Sequence, residues 1–233
     1  MPSKALTEFR SAIALAEALH SLETKYPDPP TPTTAGEVES VRALRGGAVV
    51  LMVGAFERYA REAVEEHINP ITGPPPRKRF DELPEKMQVA SAFKSLEYAM
   101  RGSRYGAKKN KAARLSEVRR AARLLTEGLV DGRALGMTDG NIDSRAVGDL
   151  LRDLGIEDPF AKLRPAFDME WARPEAQQFV HDKLDEIVSS RHKAAHAASV
   201  LNVSRADVAD GMRFLKALAS AIDGLLASYL ASI

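Results

Sequence analysis

The run AVVLMVGAF at residues 48–56 decides the fold class. It contains no charged residue, so as a helix it is apolar all round, and such a helix is buried in a core or clamped between neighbours. The helical pattern extends outward from it over residues 36–69. Gly46 and Gly47 lie inside that span, and each costs ~1 kcal/mol against Ala in a helix interior; close approach of a neighbouring helix accounts for them. Pro70, then Gly73-Pro74-Pro75-Pro76, should end the helix, because proline lacks the N–H a further turn needs. Upstream, residues 3–25 read as a helix rich in Ala, Leu and Glu. It stops at Pro27, Pro29, Pro30 and Pro32, which form a rigid linker. The expected division is an N-terminal helix and linker over 1–34 and a helical domain over 35–233, the whole forming one compact unit.

Downstream, 81–100 and 111–129 read as two further helices, the first tolerating Pro84 in its opening turn. The stretch 131–144 is turn-rich. A short helix is predicted over 145–154, closed by Gly155. Residues 159–173, with the only tryptophan, Trp171, read as irregular. Pro174 suits the first position of a helix, where its missing N–H costs nothing, and that helix should run to 199. Ser204 then caps a last helix, with Asp207 as its capping-box partner. No strand-like alternation of useful length, internal repeat or glycine-rich phosphate loop is visible. The expected fold class is all-α.

The chain has 233 residues, 45% of them hydrophobic, which is enough for a sizeable core. With 33 Lys+Arg against 32 Asp+Glu, a net charge of +1 excludes a globally basic nucleic-acid binder and an acidic disordered tail. The absence of cysteine excludes a disulfide scaffold, a thiolate zinc site and a cysteine nucleophile. Lys4, Glu8 and Arg10 interrupt any signal-peptide apolar region. Residues 214–233 contain Lys216 and Asp223, whereas a spanning helix needs ~20 mostly apolar residues. The expectation is a soluble cytoplasmic protein without a membrane partner.

Charge is distributed unevenly. Between Arg101 and Arg123 stand nine Lys or Arg residues, among them Lys108, Lys109 and Lys111, and one acid, Glu117. The run is either a solvated helix face or a surface that tracks RNA phosphates. Tyr105 is its only aromatic residue, so base-specific stacking is not expected there.

The segment DEIVSSRHKAAHAA at 185–198 carries the chemistry. Projected on a helix with Leu184 at zero, Ile187 falls at ~300°, Val188 at ~40°, Ala195 at ~20° and Arg191 at ~340°, inside the apolar stripe. Arginine is almost never buried unless paired. Arg191 is therefore either pinned by a buried carboxylate or aimed at an anion in a cleft or subunit interface. His192 and His196 lie one turn apart on the stripe's flank, at ~80° and ~120°. Two histidines at that spacing can share zinc, but Lys193 stands where a metalloprotease helix has Glu, so no metal and no cofactor is expected.

The spacing of Arg191, four residues, His196 resembles the Arg-x(4–6)-His signature of the HEPN superfamily of all-helical ribonucleases. Its context is similar to the RiboL-PSP and MAE-type groups, with the motif on the penultimate long helix and a capped final helix after it. The stretch from Arg45 to Tyr59 resembles their buried helix ending in an acidic residue after an aromatic. NIDSRAVGDLLRDLG at 141–155 resembles their middle block. The resemblance covers residues 36–230 and implies a HEPN-like helical bundle with additional helices.

Three positions depart from the pattern. His192 follows the motif arginine where Asn or another polar residue is common, and Ala197 follows the motif histidine where Gly is frequent. Ala198 replaces the Tyr that a partner nucleotidyltransferase modifies in some members, so that form of control is not expected.

The resemblance implies a metal-independent endoribonuclease forming 2′,3′-cyclic phosphate ends. Catalysis would fall to Arg191, His196, His192 and Glu57, at a cleft between two motifs of a homodimer. Glu57 alternatively forms an i,i+4 pair with Arg61. Lys108, Lys109, Lys111 and Lys193 are the expected RNA contacts. A toxin or phage-defence role, with an antitoxin or defence-system partner, is also implied. The competing readings are a non-catalytic HEPN module binding RNA or a partner protein, and a helical scaffold with a structural histidine pair.

Overall fold

The computed structural model describes residues 1–28, 35–73, 75–101, 111–138, 140–196 and 203–233. Among them the chain is all-α, with no strand. The helices are α1 (Lys4–Glu23), α2 (Ala35–Thr72), α3 (Glu85–Arg101), α4 (Lys111–Glu127), α5 (Gly132–Leu135), α6 (Ser144–Asp153), α7 (Pro159–Trp171), α8 (Phe179–His196) and α9 (Arg205–Ser232).

α2 is the axis of the bundle, contacting α1, α5, α8 and α9. Val49, Met52, Val53, Phe56, Tyr59, Ala60, Ala63 and Val64 are all buried on it. A Cβ at Gly47 would stand 3.1 Å from Leu19 Cδ1, so the glycine lets α1 approach closely. The all-round burial expected of 48–56 is incomplete, because Leu51 remains 39% exposed. Pro70 does not stop α2. Thr72 Oγ1 donates to Ile68 O at 3.1 Å and Gly73 N–H to Asn69 O at 2.7 Å, which completes one more turn around the buried Ile71 and Thr72.

α1 belongs to the same core through Leu6, Phe9, Ile13 and Ala16. Its first turn is fixed from two other helices. Glu66 of α2 accepts from the N–H groups of Lys4 and Ala5, both at 2.7 Å. Asp223 of α9 accepts from Ser3 N–H at 3.1 Å, from Ser3 Oγ, and from His67 Nε2 at 3.1 Å. At the other end of α1, the buried Glu23 accepts from Arg45 (2.9 and 2.6 Å) and Arg205 (2.6 Å). Burial opposes its charge, but the hydrogen bonds from Arg205 and Arg45 outweigh that and hold its carboxyl below the usual range.

Two segments depart from the expected pattern. Residues 159–173, expected to be irregular, contain α7. Pro159 occupies its first position, and Leu163, Phe167 and Trp171 bury one stripe at intervals of four. Phe167 and Trp171 meet Phe214 of α9, with ring centroids 5.5 and 6.2 Å apart. Pro165 lies inside α7, and the carbonyl it leaves without an N–H partner belongs to the exposed Ala161. Conversely, Pro174 does not start a helix, and α8 begins at Phe179. The carbonyls of Glu175, Ala176 and Gln177 converge on the Arg164 guanidinium at 2.6, 2.7 and 3.4 Å, which holds that segment out of helical geometry.

The helix expected from 81 starts instead at Glu85, after a single 3-10 turn at Phe80–Glu82; Leu83 is extended (ψ 158°), as a residue preceding proline tends to be. Asp143 caps α6 and Gly155 follows it at φ +88°. Ser204 and Asp207 form the expected capping box of α9. By length and composition α9 could cross a membrane, yet 56% of its most apolar window is buried, as in a core helix.

Asp223 provides a stability test. Its burial disfavours charge, but the bonds from His67 and Ser3 outweigh it, so its pKa lies below the ordinary carboxylate value. Its contribution to stability is fully present above the unfolded value of ~3.9 and is lost as the pH falls through the lower folded value. Thermal melts between about pH 5 and pH 3 should fall more steeply for the wild type than for Asp223→Asn, which has lost that titration.

Candidate functional site

α8 carries the motif to the edge of the core. Leu184, Ile187 and Val188 are buried, Arg191 is 24% exposed along its side chain, and Ala195 is exposed. The core therefore ends one turn earlier than the projected stripe, and Arg191 sits at its rim.

Three side chains from distant parts of the chain surround that rim. Arg191 Nη1 donates to Asn141 Oδ1 at 3.0 Å, and Arg191 Nη2 lies 4.0 Å from Glu57 Oε2. The second distance is electrostatic contact without a hydrogen bond. Arg191 Nε and Glu57 Oε1 are both buried and have no hydrogen-bond partner among the described residues. Arg61, the helical neighbour of Glu57, donates to Thr138 Oγ1 at 3.2 Å. Gly54, three residues before Glu57, has open space where a Cβ would stand. Arg191 thus has a fixed orientation with donor capacity left over, which is what binding an anion requires.

His192 and His196 are exposed, their ring centroids 4.7 Å apart and the rings inclined by 53°. Lys193 is exposed between them. Asp185, the nearest carboxylate on the histidine flank, is engaged elsewhere. It accepts from Ser144 N–H at 2.8 Å and Ser144 Oγ at 3.0 Å, joining α8 to the first turn of α6. Among the described residues no three His, Asp or Glu side chains gather closely enough to hold a metal. Asn141 also lines a cleft of about 570 Å³ of mixed charge with Lys94, Glu97, Asp143, Arg145 and Asp149. Of the basic run, Lys108 and Lys109 lie outside the described residues, and Lys111 opens α4.

A family model described as RiboL-PSP-HEPN matches residues 14–228. The chain belongs to the RiboL-PSP-HEPN family. No curated protein and no solved structure matches it. The matched region of this HEPN protein contains Glu57, Asn141, Arg191, His192 and His196, and it begins within α1, upstream of the expected residue 36.

Of the four residues expected to act together, the HEPN fold brings Glu57 to Arg191, while His192 and His196 share the last turns of α8 with it. Asn141 was not among them. It stands 50 residues from Arg191 in a turn-rich stretch, where asparagine is ordinary. The only signal was its place at the head of the block at 141–155.

If Asp185 is a structural cap, Asp185→Ala should lower unfolding stability by ~1 kcal/mol, the usual cost of losing an N-terminal helix cap. Urea denaturation followed by circular dichroism measures it. Added zinc should shift the melting temperature of neither protein.

Proposed function

We propose that the protein is an endoribonuclease that cleaves RNA without a metal ion. Membership of a HEPN family supports a ribonuclease or RNA-binding role. The observation that carries the catalytic reading is the rim-bound Arg191, hydrogen-bonded to Asn141 through Nη1 with Nη2 4.0 Å from Glu57, on the same last turns of α8 as two exposed histidine rings.

One histidine takes the proton from the ribose 2′-hydroxyl, a role suited to a group whose ordinary pKa is near neutrality. The 2′-oxygen attacks the adjacent phosphorus, and Arg191 stabilises the charge that develops on the phosphoryl oxygens. The bond to the 5′-oxygen breaks, a second histidine returns a proton to that oxygen, and a 2′,3′-cyclic phosphate remains. Glu57 acts as a positioning residue, keeping the guanidinium at the rim. His196 is assigned to the proton transfers, with His192 or the facing motif of a second copy as its counterpart. Lys193 and the 101–123 run track the RNA backbone. The exposed cations Arg119 and Arg120 on α4 support that part of the reading, and they would equally serve a HEPN module that binds RNA without cutting it. A cytoplasmic toxin or defence nuclease, restrained by a cognate partner, is the biological setting that fits.

The test is incubation of purified protein with total RNA in excess EDTA. Cleavage should persist, with 2′,3′-cyclic phosphate ends, and Arg191→Ala should lower the single-turnover rate by ~100-fold or more, the scale for losing one oxyanion-type donor. His196→Ala should abolish measurable cutting. Strict dependence on added Mg²⁺ or Mn²⁺, or full activity in His196→Ala, overturns the assignment.

Replacing Lys108, Lys109 and Lys111 together with Ala should flatten the dependence of RNA affinity on salt, because binding through fewer phosphate contacts releases fewer counterions. Saturating turnover should change little, since contacts made equally in ground and transition states act on KM. Filter binding across a salt series, paired with single-turnover rates, separates the two effects.

A further inference from the structure

Among the described residues, α3 leaves a continuous seam of large apolar side chains uncovered. Val89, Phe93, Leu96 and Met100 recur at intervals of four, three and four residues, and they are 52%, 71%, 58% and 70% exposed. The opposite face of the helix already buries Met87, Ala90 and Ala99. α3 is therefore apolar on the side where a surface helix carries charge. On α4, which lies against α3, Leu115 and Val118 are 48% and 45% exposed. Single exposed apolar residues are ordinary, but a contiguous stripe marks a contact surface.

The form of the stripe selects the kind of contact. Alternating steps of four and three residues make the narrow seam that receives one other helix. A helix lying in a lipid surface instead has a strongly charged polar face opposite its apolar one, and the opposite face of α3 is packed in the core. The sign of the surrounding charge selects the partner. Glu117, the one acid between Arg101 and Arg123, is buried and paired with Arg133 at 3.1 Å. Arg119, Arg120 and Arg123 of α4 are exposed; Arg120 lies 3.7 Å from Asp131 and Arg123 pairs with Glu127 at 2.8 Å, while Arg119 has no acidic partner among the described residues. A second copy would bring two basic α4 surfaces together, whereas an acidic helix would meet complementary charge.

We infer that the seam on α3 is a docking site for one acidic amphipathic helix of a partner protein. The inference does not depend on the ribonuclease reading. The cleft that Asn141 shares lies off the seam: Lys94 and Glu97 line it, and Lys94 donates to the carbonyls of Leu135 and Met137 at 3.1 and 3.0 Å.

The experiment uses the full-length chain and a designed, fluorescently labelled helical peptide of about three heptads, with Leu at the a and d positions and Glu at e and g. A control peptide carries Lys in place of Glu. Anisotropy should show binding of the acidic peptide, weakened at least ~tenfold by Phe93→Asp with Leu96→Asp, as for loss of central contacts. The Lys peptide should bind at least ~tenfold more weakly. Met100→Glu, at the exposed end of the seam, serves as a second variant, and thermal melts verify that each variant folds.

No binding of the acidic peptide at ~100 µM overturns the inference. So does equal binding of the two peptides, or an affinity unchanged by the substitutions. A wild-type dimer that the same substitutions dissociate in sedimentation assigns the seam to a second copy. Phosphatidylserine-containing vesicles bound by the wild type and released by the variants assign it to a lipid surface. Either result overturns the inference.

Discussion

The structure depends on the burial of α2. A helix of this length with an apolar middle must be covered by others, and α1, α8 and α9 supply the cover. Any polar group on its inner face then needs a partner, because a buried charge or hydroxyl without one is costly. Tyr59 meets that demand by donating to the carbonyl of Ala219 on α9 at 2.7 Å. Glu57, two residues earlier and also buried, has Arg191 as its nearest cation. The same constraint that makes the core therefore brings an arginine to the end of an apolar stripe on α8 and fixes it there.

The remaining parts hold that arrangement in register. Asp185 ties α8 to the start of α6, and the turn just before α6 presents Asn141 to the guanidinium. Glu23, Arg45 and Arg205 join the end of α1 to α2 and to the start of α9. Arg45 Nη1 also donates to the carbonyl of Val203 at 3.2 Å. The chain beyond the motif is thereby anchored where it re-enters the bundle. Because several long-range polar contacts converge on a few residues of α2, α6 and α8, the geometry around Arg191 comes from the fold as a whole.

The fold was legible wherever local chemistry and tertiary packing agree. The apolar run at 48–56, the Ser204–Asp207 capping box and Gly155 after α6 each carry their own explanation. α7 was obscured by Pro159 and Pro165, although Leu163, Phe167 and Trp171 repeat every four residues on a single stripe. Pro174 misled in the opposite sense, because Arg164 gathers the carbonyls that a helix there would have turned to its own amides. In the candidate site, Arg191 declared itself as a charge on an apolar face. Its partner Asn141 did not, since the contact joins residues 50 apart through an unremarkable turn.

The central claim is that the RNA supplies its own nucleophile, activated beside Arg191. An RNA oligonucleotide carrying one 2′-deoxy nucleotide on the 5′ side of its principal cleavage bond tests it most directly. The account predicts that this bond resists cleavage in single-turnover assays, while affinity and cutting at other bonds are retained. Cleavage of the modified bond at the unmodified rate would mean that water is the nucleophile, and would contradict the account.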